Sequence, residues 1–334
     1  MAEVILQNVS KAFGATQAVE DITMTIEDGA FVVLLGPTGA GKTTTLRLIS
    51  GLEKLDSGSV HIGGRDVAAD TPAQRDVAMV FQQYSLYPHL TVRDNLAFPL
   101  RSPILKTPED VIAKKVQQIA EILQIPHKLD NKATALSGGE MQRVSIGRAL
   151  VRDPQIYLMD EPLSSLDAKL RADLRVELKR IQSDLGSTLL YVTHDQIEAM
   201  TMATKIGVLE EGRLVQYGTP KEIYENPKSI YVASRLGLPR INILPSEIFP
   251  GAHKGAQIGL RPENILQSDA GGDGIEATVL RSEHLGDQTR LHLDVRGHAI
   301  TTLSDPHQDY AAHSTIKISP QNPLYFDAAG LRVA

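Results

Sequence analysis

Residues 36–44 read "GPTGAGKTT", between an apolar run, "FVVLL" (31–35), and a stretch of helical period, "TTLRLISGL" (44–52). A strand, a glycine-rich loop of the form G-x-x-x-x-G-K-[ST] and a helix, in that order, make a phosphate-binding loop. Gly36, Gly39 and Gly41 let the backbone curl until its N–H groups face phosphate oxygens. Lys42 would bridge the β- and γ-phosphates of a nucleotide, and the Thr43 hydroxyl would coordinate Mg²⁺. The whole stretch, with Pro37, Thr38, Ala40 and Thr44, is expected to bind nucleotide.

A second site follows in "IYLMDEP" (156–162), where four apolar residues end at Asp160. A buried strand of this kind delivers a carboxylate to the C-terminal edge of a sheet, where ligands of open α/β sheets bind. Asp160 would hold Mg²⁺, directly or through water, and Glu161 would orient or deprotonate an attacking water. Further apolar runs, "TLLYVT" (188–193) and "IGVLE" (206–210), suit parallel strands buried on both faces. Between "IYLMDEP" and "TLLYVT", Leu166, Leu170, Leu174, Leu178, Ile181 and Leu185 recur at helical spacing and Gly186 closes the run. The alternation predicts an α/β domain built on a parallel sheet, and the loop with the acidic strand end describes a P-loop nucleoside triphosphatase.

Residues 107–124 interrupt that pattern. Thr107-Pro108-Glu109-Asp110 is a helix start, and Ile112, Val116, Ile119, Ala120 and Leu123 form one apolar stripe. A helical insert is therefore expected at about 84–155. Its last helix opens in "ALSGGEMQRV" (135–144). Ser137 and Glu140 have capping-box spacing, yet Ser137-Gly138-Gly139 at a helix start is also a ready anion site. Both readings stay open on the residues alone.

After about residue 236, "GLPRINILPSEIFPG" lacks any helical period and reads as a domain boundary. Beyond it, Ile275-Ala277-Val279 and Leu291-Leu293-Val295 alternate with polar residues, as half-buried strands of a small all-β domain do. A net charge of −6 argues against a general nucleic-acid binder. The absence of cysteine excludes disulfides and thiol–zinc sites. With no apolar run long enough to span a bilayer and no signal peptide, the sequence reads as intracellular and soluble.

Together these stretches resemble the ATP-binding subunit of ATP-binding-cassette (ABC) transporters, and within it the bacterial carbohydrate importers of the maltose type. The resemblance implies a RecA-like P-loop domain over residues 1–235 and an OB-like (TOBE) regulatory and dimerisation domain over 236–334. "YENPKSIYVASRLGLPRINIL", "IGLRPENI" and "VLRSEHLGDQTRLHLDV" carry the second part. It implies ATP and Mg²⁺ as cofactors and a head-to-tail homodimer. Ser137, Gly138 and Gly139 would then bind the γ-phosphate of ATP held by the partner copy.

Other roles carry over by position. Phe13 in "VSKAFGA" matches the aromatic that stacks on adenine. Gln82 in "MVFQQYSLYPHLTV" matches the glutamine that senses Mg²⁺ and the attacking water, and the segment through Leu90 the region near a membrane subunit's coupling helix. Ser165 and Asp167 in "LSSLDAKLR" match the loop that crosses the dimer interface near the nucleotide. His194 in "YVTHDQIEAM" matches the γ-phosphate-contacting histidine. Two positions depart from the family pattern: Glu140 replaces the usual glutamine, and Met141 a basic residue. Glu140 is expected to point to the ribose hydroxyls or back to its own helix.

The function implied is an ATPase on the cytoplasmic face of the bacterial inner membrane, peripheral to it. Its partners would be two membrane-spanning permease subunits and a periplasmic or extracellular solute-binding protein, with no nucleic acid. Carbohydrate is the leading solute class. The alternatives are a polyol, glycerol phosphate or glycerophosphodiester, a sulfonated sugar glycoside such as sulfoquinovosyl glycerol, or a polyamine. A non-transport ABC ATPase would carry coiled coils, a second cassette or basic surfaces, and an exporter's ATPase would usually lack the β-domain.

Overall fold

The computed structural model describes residues 2–103, 105, 107–249, 255–268 and 273–333. It divides into two compact units, Met1–Pro220 and Lys221–Ala334. In the first, β1 (Val4–Phe13), β2 (Thr16–Ile26), β4 (Ser57–Ile62) and β5 (Arg65–Asp66) form an antiparallel sheet in the order β2-β1-β4-β5. The main sheet takes β3 (Phe31–Leu35), β6 (Val77–Val80), β7 (Ile156–Asp160), β8 (Leu189–Thr193), β9 (Lys205–Glu210) and β10 (Arg213–Gly218). Its order is β10-β9-β3-β8-β7-β6, parallel except for β10 at one edge.

Strands β3, β7 and β8 are buried at every position, which is why each reads as an unbroken apolar run rather than an alternation. Helix α1 (Lys42–Ser50) packs against β7 and β8, so the phosphate-binding loop opens at the C-terminal end of the central strand. Helices α2 (Val92–Ala97), α3 (Glu109–Ile122) and α4 (Gly138–Leu150) pack on one another as the helical insert. The α3 stripe of Ile112, Val116, Ile119 and Ala120, with Leu123 just beyond, is buried. Each of the larger side chains among them, the isoleucines, Val116 and Leu123, stabilises the fold by about 1.5–3 kcal/mol relative to exposure. Helices α5 (Ala168–Leu185) and α6 (Gln196–Met202) complete the unit. Gly186 ends α5 in the left-handed conformation, and Leu185 is exposed while Leu174, Leu178 and Ile181 are buried.

The second unit begins earlier than the 235/236 boundary expected. Short helices α7 (Pro220–Glu225) and α8 (Ile230–Arg235) belong with it. Arg261 ties them to the β-structure, donating to the carbonyls of Tyr224, Ala233 and Leu236. The stretch read as a boundary contains β11 (Asn242–Pro245), and Pro245 is tolerated because β11 is an edge strand. Strand β12 (Gln257–Leu260) pairs with it, and β13 (Ile265–Ser268), β14 (Ile275–His284), β15 (Thr289–Val295), β16 (His298–Ser304) and β17 (Thr315–Pro320) follow. The chain ends in β18 (Leu324–Phe326) and β19 (Arg332–Val333).

All pairings are antiparallel, in the orders β11-β12-β18-β19 and β13-β17-β14-β15-β16. The barrel-like domain is thus two open sheets over one core, to which Leu244 and Ile258 contribute from one and Val279, Leu291 and Ile318 from the other.

Candidate nucleotide site

Three strands that are neighbours in the sheet, β3, β8 and β7, deliver the functional side chains from their C-terminal ends. Gly41 precedes α1 in the left-handed region (φ 95°), and no side chain caps the helix. First-turn amides are therefore left for an anion. A Cβ on Gly41 would press into the Ala18 carbonyl oxygen, so both conformation and space require glycine there. Gly41→Ala is expected to destabilise the domain by roughly 2–3 kcal/mol, read as a lower midpoint in chemical unfolding. An unchanged midpoint would contradict this account of the loop.

Lys42 is buried, and its Nζ donates to the carbonyls of Gly36 (2.9 Å) and Pro37 (3.0 Å). The same ammonium lies 3.5 Å from Glu161 Oε1, and Glu161 Oε2 is 3.1 Å from His194 Nδ1. Glu161 is thus held between a cation and an imidazole, with half-buried side-chain walls and an exposed histidine at the mouth. Its backbone has φ 44°, an uncommon conformation for a non-glycine residue, fixed by its N–H donating to Val192 O at 3.1 Å.

Thr43 Oγ1 donates to Asp160 Oδ1 at 2.9 Å. Burial raises the Asp160 carboxyl above its ordinary value, the Thr43 hydrogen bond pulls it down, and the charge of Glu161 pushes it up again. A hydroxyl and a carboxylate oxygen at this spacing are hard donors of the kind that suits Mg²⁺. Within the loop, Thr38 and Gly39 are exposed, Pro37, Thr43 and Thr44 half-buried, and Gly36 and Ala40 buried.

Phe13 stands 47% exposed at the end of β1, with Lys11 Nζ 5.3 Å from its ring centroid. A core role for this aromatic is thereby excluded. Gln82 is exposed in the loop after β6, outside the hydrogen-bonded cluster. The signature residues also lie apart from it. Ser137 caps α4, and Glu140 closes the capping box: its Oε2 accepts from Ser137 N (2.8 Å) and Oγ (3.0 Å). Of the two directions expected for Glu140, the chain takes the one toward its own helix. A Cβ on Gly139 would overlap the terminal methyl of the half-buried Leu170 on α5, which would have to shift to admit it. Asp167 caps α5 by accepting from Leu170 N at 3.0 Å, and Ser165 Oγ is 3.2 Å from Tyr84 Oη.

One group passed over in the sequence is Glu198. It is buried on α6, accepts from Tyr191 Oη (2.9 Å) and Thr193 Oγ1 (2.6 Å), and burial raises its carboxyl. This network pins the end of β8 one residue before His194. The neighbouring Ala199 and Met202, both apolar and buried, were the available signal that this turn of α6 faces inward.

Comparison with known proteins agrees with this geometry. A model of the ABC transporter family matches residues 19–164, and one of the TOBE domain matches 258–333. The sn-glycerol-3-phosphate import ATP-binding protein UgpC of Ruegeria pomeroyi is 42% identical over the full length of both chains. The maltose/maltodextrin import ATP-binding protein MalK of Escherichia coli K12 is 44% identical over 88% of this chain and 86% of its own. This chain belongs to the ATP-binding subunits of ABC transporters. Among solved structures, the dimeric ABC transporter cassette MJ0796 superposes with a TM-score of 0.59 at 30% identity, covering 65% of this chain and 98% of its own. As an ABC ATPase subunit the chain binds and hydrolyses ATP. Among the described residues no helix is long and apolar enough to cross a membrane.

Proposed function

We propose that two copies of this chain power an importer for a carbohydrate or a glycerol phosphate, docked on permease subunits at the cytoplasmic face of the bacterial inner membrane. The observation that carries the reading is the bracketing of Glu161 by Lys42 and His194, beside the Thr43–Asp160 pair. The first pair of contacts suits a group acting at the γ-phosphate, and the second suits Mg²⁺.

In this reading the loop 36–44 holds the ATP phosphates and Phe13 offers its exposed ring to adenine. Thr43 and Asp160 would hold Mg²⁺, which when bound would supply positive charge to offset that of the phosphates. Glu161 orients the attacking water and takes its proton, while His194 fixes the carboxylate and meets the γ-phosphate. Gln82, from the exposed loop after β6, joins on closure. Ser137, Gly138 and Gly139 close over the partner's ATP with their helix N-terminus, and Asp167 lies in the interface near it. A solute-binding protein would deliver the solute. The names of UgpC and MalK support the two leading solute classes.

Ser137→Ala tests the signature assignment. Loss of the cap should lower stability by about 1 kcal/mol. ATP-dependent pairing and hydrolysis should fall far more than that, at temperatures where the variant is folded. A variant that melts earlier with full ATPase activity would leave Ser137 as a cap alone. The solute class is tested by titrating maltodextrins and glycerol 3-phosphate into the solute-binding protein of the same transport system; binding of neither would contradict both solute classes.

A further inference from the structure

The signature helix begins with an acid where a triphosphate is expected to arrive. Glu140 is not left to face it. Its Oε2 is engaged by the Ser137 N–H and hydroxyl, and its Oε1 is 3.0 Å from Lys128 Nζ. Lys128 ends the turn Pro126–Lys128, on a separate segment ahead of the signature. These contacts hold the Glu140 carboxyl at about 2, the Ser137 backbone bond contributing most, so the acid stays charged through the neutral range. Protonation cannot remove the charge. Only a nearby cation can offset it.

We propose that Lys128 is a positioning residue for ATP-driven pairing: it holds the Glu140 carboxylate on the capping side of α4 and offsets its charge beside the partner's triphosphate. The inference rests on the pairing just described. It requires that Lys128 act through Glu140. The two side chains are only about a quarter exposed (27% and 25%), which limits screening of the pair by solvent. Without Lys128, an uncompensated carboxylate would stand next to the phosphates and would be freer to rotate toward them.

The test is a double-variant cycle in full-length Glu161→Gln chain, reading the ATP concentration for half-maximal dimer by sedimentation. Lys128→Met should raise that concentration roughly three- to tenfold, an effect that shrinks with salt. Lys128→Arg should restore it. In a Glu140→Gln background, Lys128→Met should have no effect, and this rescue is one that a folding defect at residue 128 could not give. An equal shift with and without Glu140, or no shift at all, would overturn the inference alone. A Glu161→Gln chain that never pairs with ATP would overturn the functional reading, and the inference with it.

Discussion

Glu161→Gln is expected to bind ATP with near-normal affinity, to lose turnover by roughly two to four orders of magnitude, and to accumulate as a closed dimer. The amide keeps the size of the carboxylate and its place between Lys42 and His194, so the fold has little reason to change. What it loses is the charge that aligns water and the capacity to take a proton. The left-handed backbone at this position aims the side chain into the cluster and is unaffected by the exchange. Single-turnover hydrolysis, with nucleotide binding measured separately, checks the split. A normal rate would remove Glu161 from the role of base or water-orienter.

Lys42→Ala should have the second largest effect, and for two separable reasons. The ammonium points into the loop, and its removal should weaken ATP binding by about a hundredfold and abolish hydrolysis. It also takes the ammonium donor from the Gly36 and Pro37 carbonyls, of which Pro37 keeps the Ala40 N–H. The nucleotide-free protein should therefore lose about 1–2 kcal/mol of stability. Isothermal titration and unfolding curves separate the two effects. Unchanged affinity and rate would refute the phosphate-loop assignment.

Much of this architecture could be read from the chain because local rules and tertiary demands coincide. The loop 36–44 needs its glycines where the motif has them, and strands buried on both faces announce themselves as apolar runs. Contacts set by distant segments were not legible. Nothing near Glu161 marks its positive φ, since no glycine stands there, and the Lys128–Glu140 pair follows no helical or strand spacing. The division at Pro220 was hidden for a similar reason. Helices α7 and α8 are too short to show a period, and they are joined to the second unit by distant partners: Arg261 at their carbonyls, Gly330 and Arg332 through the backbone, and Leu324 and Phe326 against Ala233. Ser137 is the instructive middle case, because capping box and phosphate site use the same grammar at a helix start.

The central claim is that each nucleotide site is completed by a second copy of the chain. Because the protein has no cysteine, an introduced pair reports without background. One copy would carry Thr38→Cys in the phosphate loop and the other Ala135→Cys just ahead of the signature, both with Glu161→Gln; residues 38 and 135 are exposed. A short bifunctional thiol reagent should join the two copies when ATP is present and not when it is absent. ATP-independent joining, or no joining at ATP concentrations that saturate binding, would contradict a site shared in trans.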